Sequence, residues 1–154
     1  MKLVLDTNVV MELLHYRDPR SAALMHAITE GRVTCFTDTR CLAELQRVFA
    51  YPQFRLEAAA QHVLYAQYLG MAGTIDEAPI DTPLPKCRDT DDQKFMEVAA
   101  RCGADLLVTR DKELLRLARS RARAAPFGIV IPEKAIAAFS TMAPLPPETQ
   151  ETAA

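Results

Sequence analysis

Apolar runs alternate with polar turns along nearly the whole chain. Leu3 to Leu5 form a short apolar run that stops at Asp6-Thr7-Asn8, which reads as a buried strand passing into a helix start. Val9, Val10, Leu13 and Leu14 then recur at helical spacing as far as Asp18-Pro19, and Ala22 to Ile28 supplies a second short helix before Gly31. Val33 to Thr37 is a β-rich run. Asp38 or Thr39 can cap the helix after it, whose apolar stripe is Leu42, Leu45, Val48 and Phe49. A further helix is expected over Leu56 to Leu69, a weak strand over Gly73 to Ile75, and a loop across the prolines of Pro79 to Pro85. The alternation continues with a helix over Asp92 to Ala100 closed by Cys102-Gly103, then a strand over Asp105 to Thr109. A helix over Lys112 to Arg121, a strand over Gly128 to Ile131 and a helix over Ala135 to Phe139 complete the series. Strands alternating with helices predict one three-layer α/β/α sandwich with a parallel sheet of about five strands. The domain spans 1–140, and a proline-containing tail, 141–154, is expected to be flexible.

Composition narrows this picture without redirecting it. A chain of 154 residues, 49% hydrophobic and 25% charged, can bury a genuine core as a single domain. Cys35, Cys41, Cys87 and Cys102 show no C-x-x-C pair and no zinc-ligand spacing with a histidine, so reduced thiols in a cytoplasmic protein are expected. No apolar stretch approaches the length of a membrane span. His15, His26 and His62 lie apart on helical segments, lack a spaced partner and are given no catalytic role.

The position of the acids carries the chemistry. Asp6 follows the first strand directly, and Asp111 falls two residues past the strand ending at Thr109. In a parallel sheet, ligand sites gather at the carboxyl ends of the strands. Asp92 shares the face of Phe95 and Met96 at the first turn of its helix, where exposed N–H groups favour a carboxylate. Glu44 borders the stripe of Leu42, Leu45 and Val48. Each acid alone has an ordinary explanation. Asp6 and Asp111 can cap helices, Thr90 to Gln93 fits a capping box with Asp89 as an alternative cap, and Glu44 can pair with Arg40 or Arg47. Gathered together they repel, by roughly 3 kcal/mol for two unit charges about 5 Å apart at an effective dielectric near 20, and are tolerated if a divalent cation neutralises them or if some members bind protons. Oxygen ligands without His or Cys suit Mg²⁺ or Mn²⁺.

These blocks also carry a resemblance. Leu3-Val4-Leu5-Asp6-Thr7-Asn8-Val9, Leu42-Ala43-Glu44-Leu45, Arg88-Asp89-Thr90-Asp91-Asp92-Gln93-Lys94-Phe95 and Leu107-Val108-Thr109-Arg110-Asp111-Lys112-Glu113-Leu114-Leu115, in that order, resemble the PIN-domain nucleases. Within them the likeness is to the bacterial, VapC-like toxin components of toxin–antitoxin systems, from about Met1 to Phe139. The resemblance implies a parallel-sheet α/β/α fold, one or two Mg²⁺ or Mn²⁺ ions and hydrolysis of RNA. It places Asp6, Glu44, Asp92 and Asp111 at the catalytic and metal positions, with Asn8 and Thr109 as the polar residues that support them. It also implies a cognate antitoxin as partner and a homodimer.

Net charge is −2, which does not announce a nucleic-acid binder. The segment from Arg110 to Arg123 softens that objection, with Arg110, Lys112, Arg116 and Arg119 as candidate contacts to RNA phosphates and Arg121 and Arg123 beyond them. Arg116, Arg119 and Arg123 share a helical face if the helix extends that far; a solvated face is the alternative. Two other functions fit the pattern: a non-catalytic binding module on the same fold, and a phosphatase. The phosphatase lacks its Asp-x-Asp start here, since Asn8 stands where a second carboxylate would be needed.

Overall fold

The computed structural model describes residues 1–120 and 123–142. Its central element is β1 (Lys2–Leu5), flanked by β2 (Thr34–Thr37) and β4 (Leu106–Val108), with β3 (Ala72–Thr74) and β5 (Gly128–Val130) at the edges. All five strands are parallel, in the order β3-β2-β1-β4-β5. Leu3 lies in register with Cys35 on one side and Leu106 on the other.

Leu3, Val4 and Leu5 are all buried because a central parallel strand is covered on both faces. The two-residue period of the strand divides them between two cores. Leu3 and Leu5 join Val9, Leu24, Leu45, Phe49 and Phe139 on one face; Val4 joins Phe95, Met96, Leu107, Leu114 and Ile129 on the other. The first core is closed by α1 (Thr7–Met11), α2 (Ala22–Thr29), α3 (Thr39–Phe49), α4 (Ala58–Met71) and α7 (Pro132–Ser140). The second is closed by α5 (Gln93–Cys102) and α6 (Lys112–Leu117).

Most expected elements are present, and the shifts have local causes. Asp38 caps α3 by accepting from the Cys41 N–H at 2.9 Å. Gly103 ends α5 in the left-handed region (φ 64°), where glycine carries no Cβ penalty. α7 begins three residues before the expected Ala135 because Pro132 sits in its first turn, where a missing N–H does no harm. α6 is shorter than expected. Its end tightens into i→i+3 bonds from Ala118, Arg119 and Ser120, so a helical face joining Arg116, Arg119 and Arg123 does not form. Arg121 and the tail from 143 onward lie outside the described residues. α1 runs on into a π turn, Glu12–Tyr16, that ends at Arg17 with φ 49°. No hydrophobic periodicity signals that turn, and it buries Glu12.

The strand order places the crevice. From β1 the chain steps outward through β2 to β3, then crosses back to lay β4 on the other side of β1. At such a reversal the loops leave in opposite directions and open a cleft at the carboxyl ends of the strands. Asp6 and Thr109 stand at the end of β1 and β4, their N–H groups donating to the carbonyls of Val108 (3.0 Å) and Val130 (2.9 Å).

Candidate metal centre

Asp6 is the first residue past β1 and only 4% exposed. Its side chain does not cap α1; instead Oδ2 accepts a hydrogen bond from Thr109 Oγ1 at 2.7 Å. Thr109 is fully buried, and its Oγ1 in turn accepts from the Asp111 N–H at 3.0 Å. A relay from the Asp111 backbone through Thr109 to Asp6 therefore ties together the ends of β1 and β4. Burial pushes the Asp6 carboxyl above its ordinary range, the Thr109 bond opposes this, and the charges of Glu44 and Asp111 add to the rise.

Asp111 does cap α6. Both capping bonds, from Glu113 N–H (2.8 Å) and Leu114 N–H (3.1 Å), fall on Oδ1. The carboxylate is thereby fixed in direction while Oδ2 takes no part in the cap. Capping and a place in the site are compatible here because a carboxylate has two oxygens.

Asp92 closes a single 3₁₀ turn, Thr90–Asp92, ahead of α5. The capping box does not form. Asp89 caps the turn through the Asp91 N–H (3.0 Å), while Gln93 accepts from the Cys87 N–H (2.7 Å) and donates to the Pro85 carbonyl (3.1 Å), pinning the proline loop. Burial, then the charges of Asp6, Asp89, Asp111 and Glu44, push the Asp92 carboxyl up to about 7. A carboxyl raised in the folded state stabilises the fold below its unfolded value, near 3.8, and that contribution is lost as pH rises through about 7. In the absence of divalent cations, Asp92→Asn should therefore gain on wild type in thermal melts between pH 4.5 and pH 8. The gain should be roughly 1–2 kcal/mol after allowing for solvent screening. Equal differences at the two pH values would contradict the raised carboxyl.

Glu44 projects from α3 with both oxygens engaged. Oε1 accepts from Lys94 Nζ at 2.9 Å and Oε2 from the Thr7 hydroxyl. Arg40, a partner expected from spacing, instead pairs with Asp38, Glu77 and Glu97. Asn8 is exposed, and at the Asp-Thr-Asn start it is Thr7 whose side chain reaches an acid. The charges of Glu44 and Asp111 thus reach both Asp6 and Asp92. Among the described residues, however, no three His, Cys, Asp or Glu side chains stand close enough together to hold a metal ion as they are placed. Thr109, the α6 backbone, Thr7 and Lys94 hold three of the four.

The basic residues separate into two groups. Arg110 turns away from the crevice to a double clamp. It donates to Glu12 on the π turn and to Glu133 on α7, at 2.8 and 3.1 Å for the latter, while Ser21 Oγ donates to Glu12 at 2.6 Å. Sequence reading missed Glu12, whose burial depends on the π turn. Lys112, Arg116 and Arg119, joined by Lys134, line a cleft of about 480 Å³ beside β5, with Leu115 and Ile129 as its apolar floor. Arg123 lines a different cleft, with Lys86 and Thr90.

Fold and site together define an α/β/α domain with an acidic crevice at the switch point of a parallel sheet. The chain belongs to the PIN domain family: that family's model matches residues 2–113, a span that holds all four acids. No curated protein matches. Among solved structures the chain is similar to VapBC2 from Rickettsia felis bound to a DNA fragment from their promoter. The TM-score is 0.57 at 16% identity, covering 84% of this chain and 97% of that one. At that identity the likeness is one of fold.

Proposed function

We propose that this PIN domain is a metal-dependent endoribonuclease, the toxin of a toxin–antitoxin pair, that hydrolyses RNA phosphodiester bonds. The observation that carries the proposal is the gathering of acids from separate parts of the chain at the carboxyl end of the sheet, where Asp6 and the Asp111 backbone are joined through Thr109 and neighbouring carboxylates raise both Asp6 and Asp92. A donor set made of carboxylate oxygens suits a hard divalent cation, Mg²⁺ or Mn²⁺. Asp6, Asp92 and Asp111 would hold it, with Glu44 beside them. When bound, such an ion polarises a phosphate and makes water acidic enough to attack at neutral pH.

The protein's own groups do the positioning. Thr109 fixes the Asp6 carboxylate and α6 fixes that of Asp111. Asp92, raised to about 7, is about half protonated near pH 7, and positive charge beside it favours its ionised form. The cleft of Lys112, Arg116, Arg119 and Lys134 offers four cations to RNA phosphates, with Arg116 drawn only weakly to Glu113 at 3.4 Å. For a cognate antitoxin, apolar clefts lined by Leu13, Leu14 and Met25 and by Leu56, Val63 and Leu64 offer a seat for an apolar segment. The fold likeness to the VapBC2 structure and the toxin–antitoxin resemblance of the motifs support that partner, and the resemblance alone supports a homodimer. No described helix is long and apolar enough to cross a membrane.

The purified protein is expected to cut single-stranded or structured RNA, to stop on chelation with EDTA and to resume with excess Mn²⁺. RNA that is bound but left intact in Mn²⁺ would favour a non-catalytic module. Hydrolysis of a simple phosphomonoester, unaffected by Asp6→Asn, would point to phosphatase chemistry.

A further inference from the structure

Lys94 stands where helix physics does not favour a cation. It is the second residue of α5, and the partial positive charge of a helix N-terminus repels an ammonium there. Its side chain is nonetheless only 11% exposed and turned inward. Nζ donates to Glu44 Oε1 at 2.9 Å and to the Asp91 carbonyl at 2.5 Å, and lies 5.2 Å from the centre of the Phe95 ring. A largely buried ammonium in an unfavourable helical position needs a compensating partner, and the partner here is an acid of the proposed metal centre.

The same contact decides what Glu44 can do. Oε1 faces the full positive charge of Lys94 and Oε2 accepts from Thr7, so each oxygen keeps a lone pair but Oε1 takes a divalent cation only against the ammonium's charge. Accepting from a neutral hydroxyl is a weak hold; the ion pair is the strong one. We propose that Lys94 is a positioning residue that keeps Glu44 in reserve, its ammonium occupying at Oε1 the place a divalent cation would take. Glu44 joins the cation only when the ammonium gives way, and the neutral Asp91 carbonyl keeps the displaced lysine nearby. Lys94 and the metal thus compete for one carboxylate. This inference rests on the divalent centre proposed above.

The competition predicts an affinity gain where a structural role predicts a loss. In calorimetric titrations of the full chain with MnCl₂ and no RNA, Lys94→Gln should bind Mn²⁺ at least about fivefold more tightly than wild type. Lys94→Arg, which keeps the charge, should stay near wild type. In a Glu44→Gln background, Lys94→Gln should bring no gain, because the contested carboxylate is gone. Affinity for Mn²⁺ equal to or weaker than wild type in Lys94→Gln overturns the proposal, and so does an equal gain in the Glu44→Gln background, which marks a bulk charge effect. Absence of Mn²⁺ binding by wild type overturns the metal reading and this inference with it. If Lys94→Gln does not fold, the wild-type protein still decides. The Lys94 ammonium resonance should shift or vanish on titration with diamagnetic Mg²⁺, and an unperturbed resonance at saturation overturns the proposal.

Discussion

Asp6→Asn is expected to lower divalent-dependent RNA cleavage by at least about a hundredfold while leaving the metal-free fold as stable as wild type or more so. The two halves of that result have one cause. Asp6 is a buried carboxylate whose ionised form is disfavoured by desolvation and by Glu44 and Asp111. The amide is nearly isosteric, and its oxygen can still accept from Thr109, so the relay that joins β1 to β4 survives. What is lost is the negative charge, which the fold does not need and a cation does. Asp92→Asn should behave alike. Undiminished cleavage in both variants would remove these residues from the site, and cleavage lost together with the cooperative melting transition would mean that the fold, not the chemistry, had been damaged.

Arg110→Ala is expected to act in the opposite way, through stability. Arg110 joins the loop after β4 to the π turn and to α7, and its removal leaves Glu12, itself buried, with Ser21 as its remaining hydrogen-bond partner in the clamp. Deleting one partner of a largely buried ion pair typically costs about 3 kcal/mol, here a fall of roughly 6–12 °C in melting temperature. The variant also discriminates between two roles. A phosphate contact would weaken RNA binding and flatten its salt dependence with the melting temperature unchanged; the clamp predicts lost stability with the salt dependence retained.

The elements that periodicity reveals are those that face one core with one stripe. Leu3 to Leu5 and the Leu42, Leu45, Phe49 face could be read directly, because a strand covered on both sides is uniformly apolar and a helix covered on one side is striped. The sheet order could not be read. Its reversal at β1 depends on which strands pair across the sequence, yet that reversal puts Asp6 beside Thr109. For the site, Asp6, Asp92 and Asp111 stand out in the sequence because they follow strand ends and a helix start, whereas Glu44, inside α3, joins the set through the motif resemblance. Their partners stand out less. Thr109 was expected as a support, and its bond to Asp6 is present. Thr7 and Lys94 do not stand out because a turn threonine and a helical lysine are ordinary in sequence; only the approach of α3 to α1 and to the start of α5 gives them Glu44. Arg110 misleads in the other direction. It lies in a basic run, but its partners come from the π turn and from α7, and neither contact leaves a trace in local composition.

The acids at the carboxyl end of the sheet are proposed to hold a divalent cation. Crystals of the full chain equilibrated with Mn²⁺ and measured at the manganese absorption edge test it most directly. A strong anomalous peak is expected, bounded by the carboxylates of Asp6, Asp92 and Asp111 and absent from crystals of Asp6→Asn. A peak elsewhere on the molecule, or one at that place undiminished by Asp6→Asn, would contradict it.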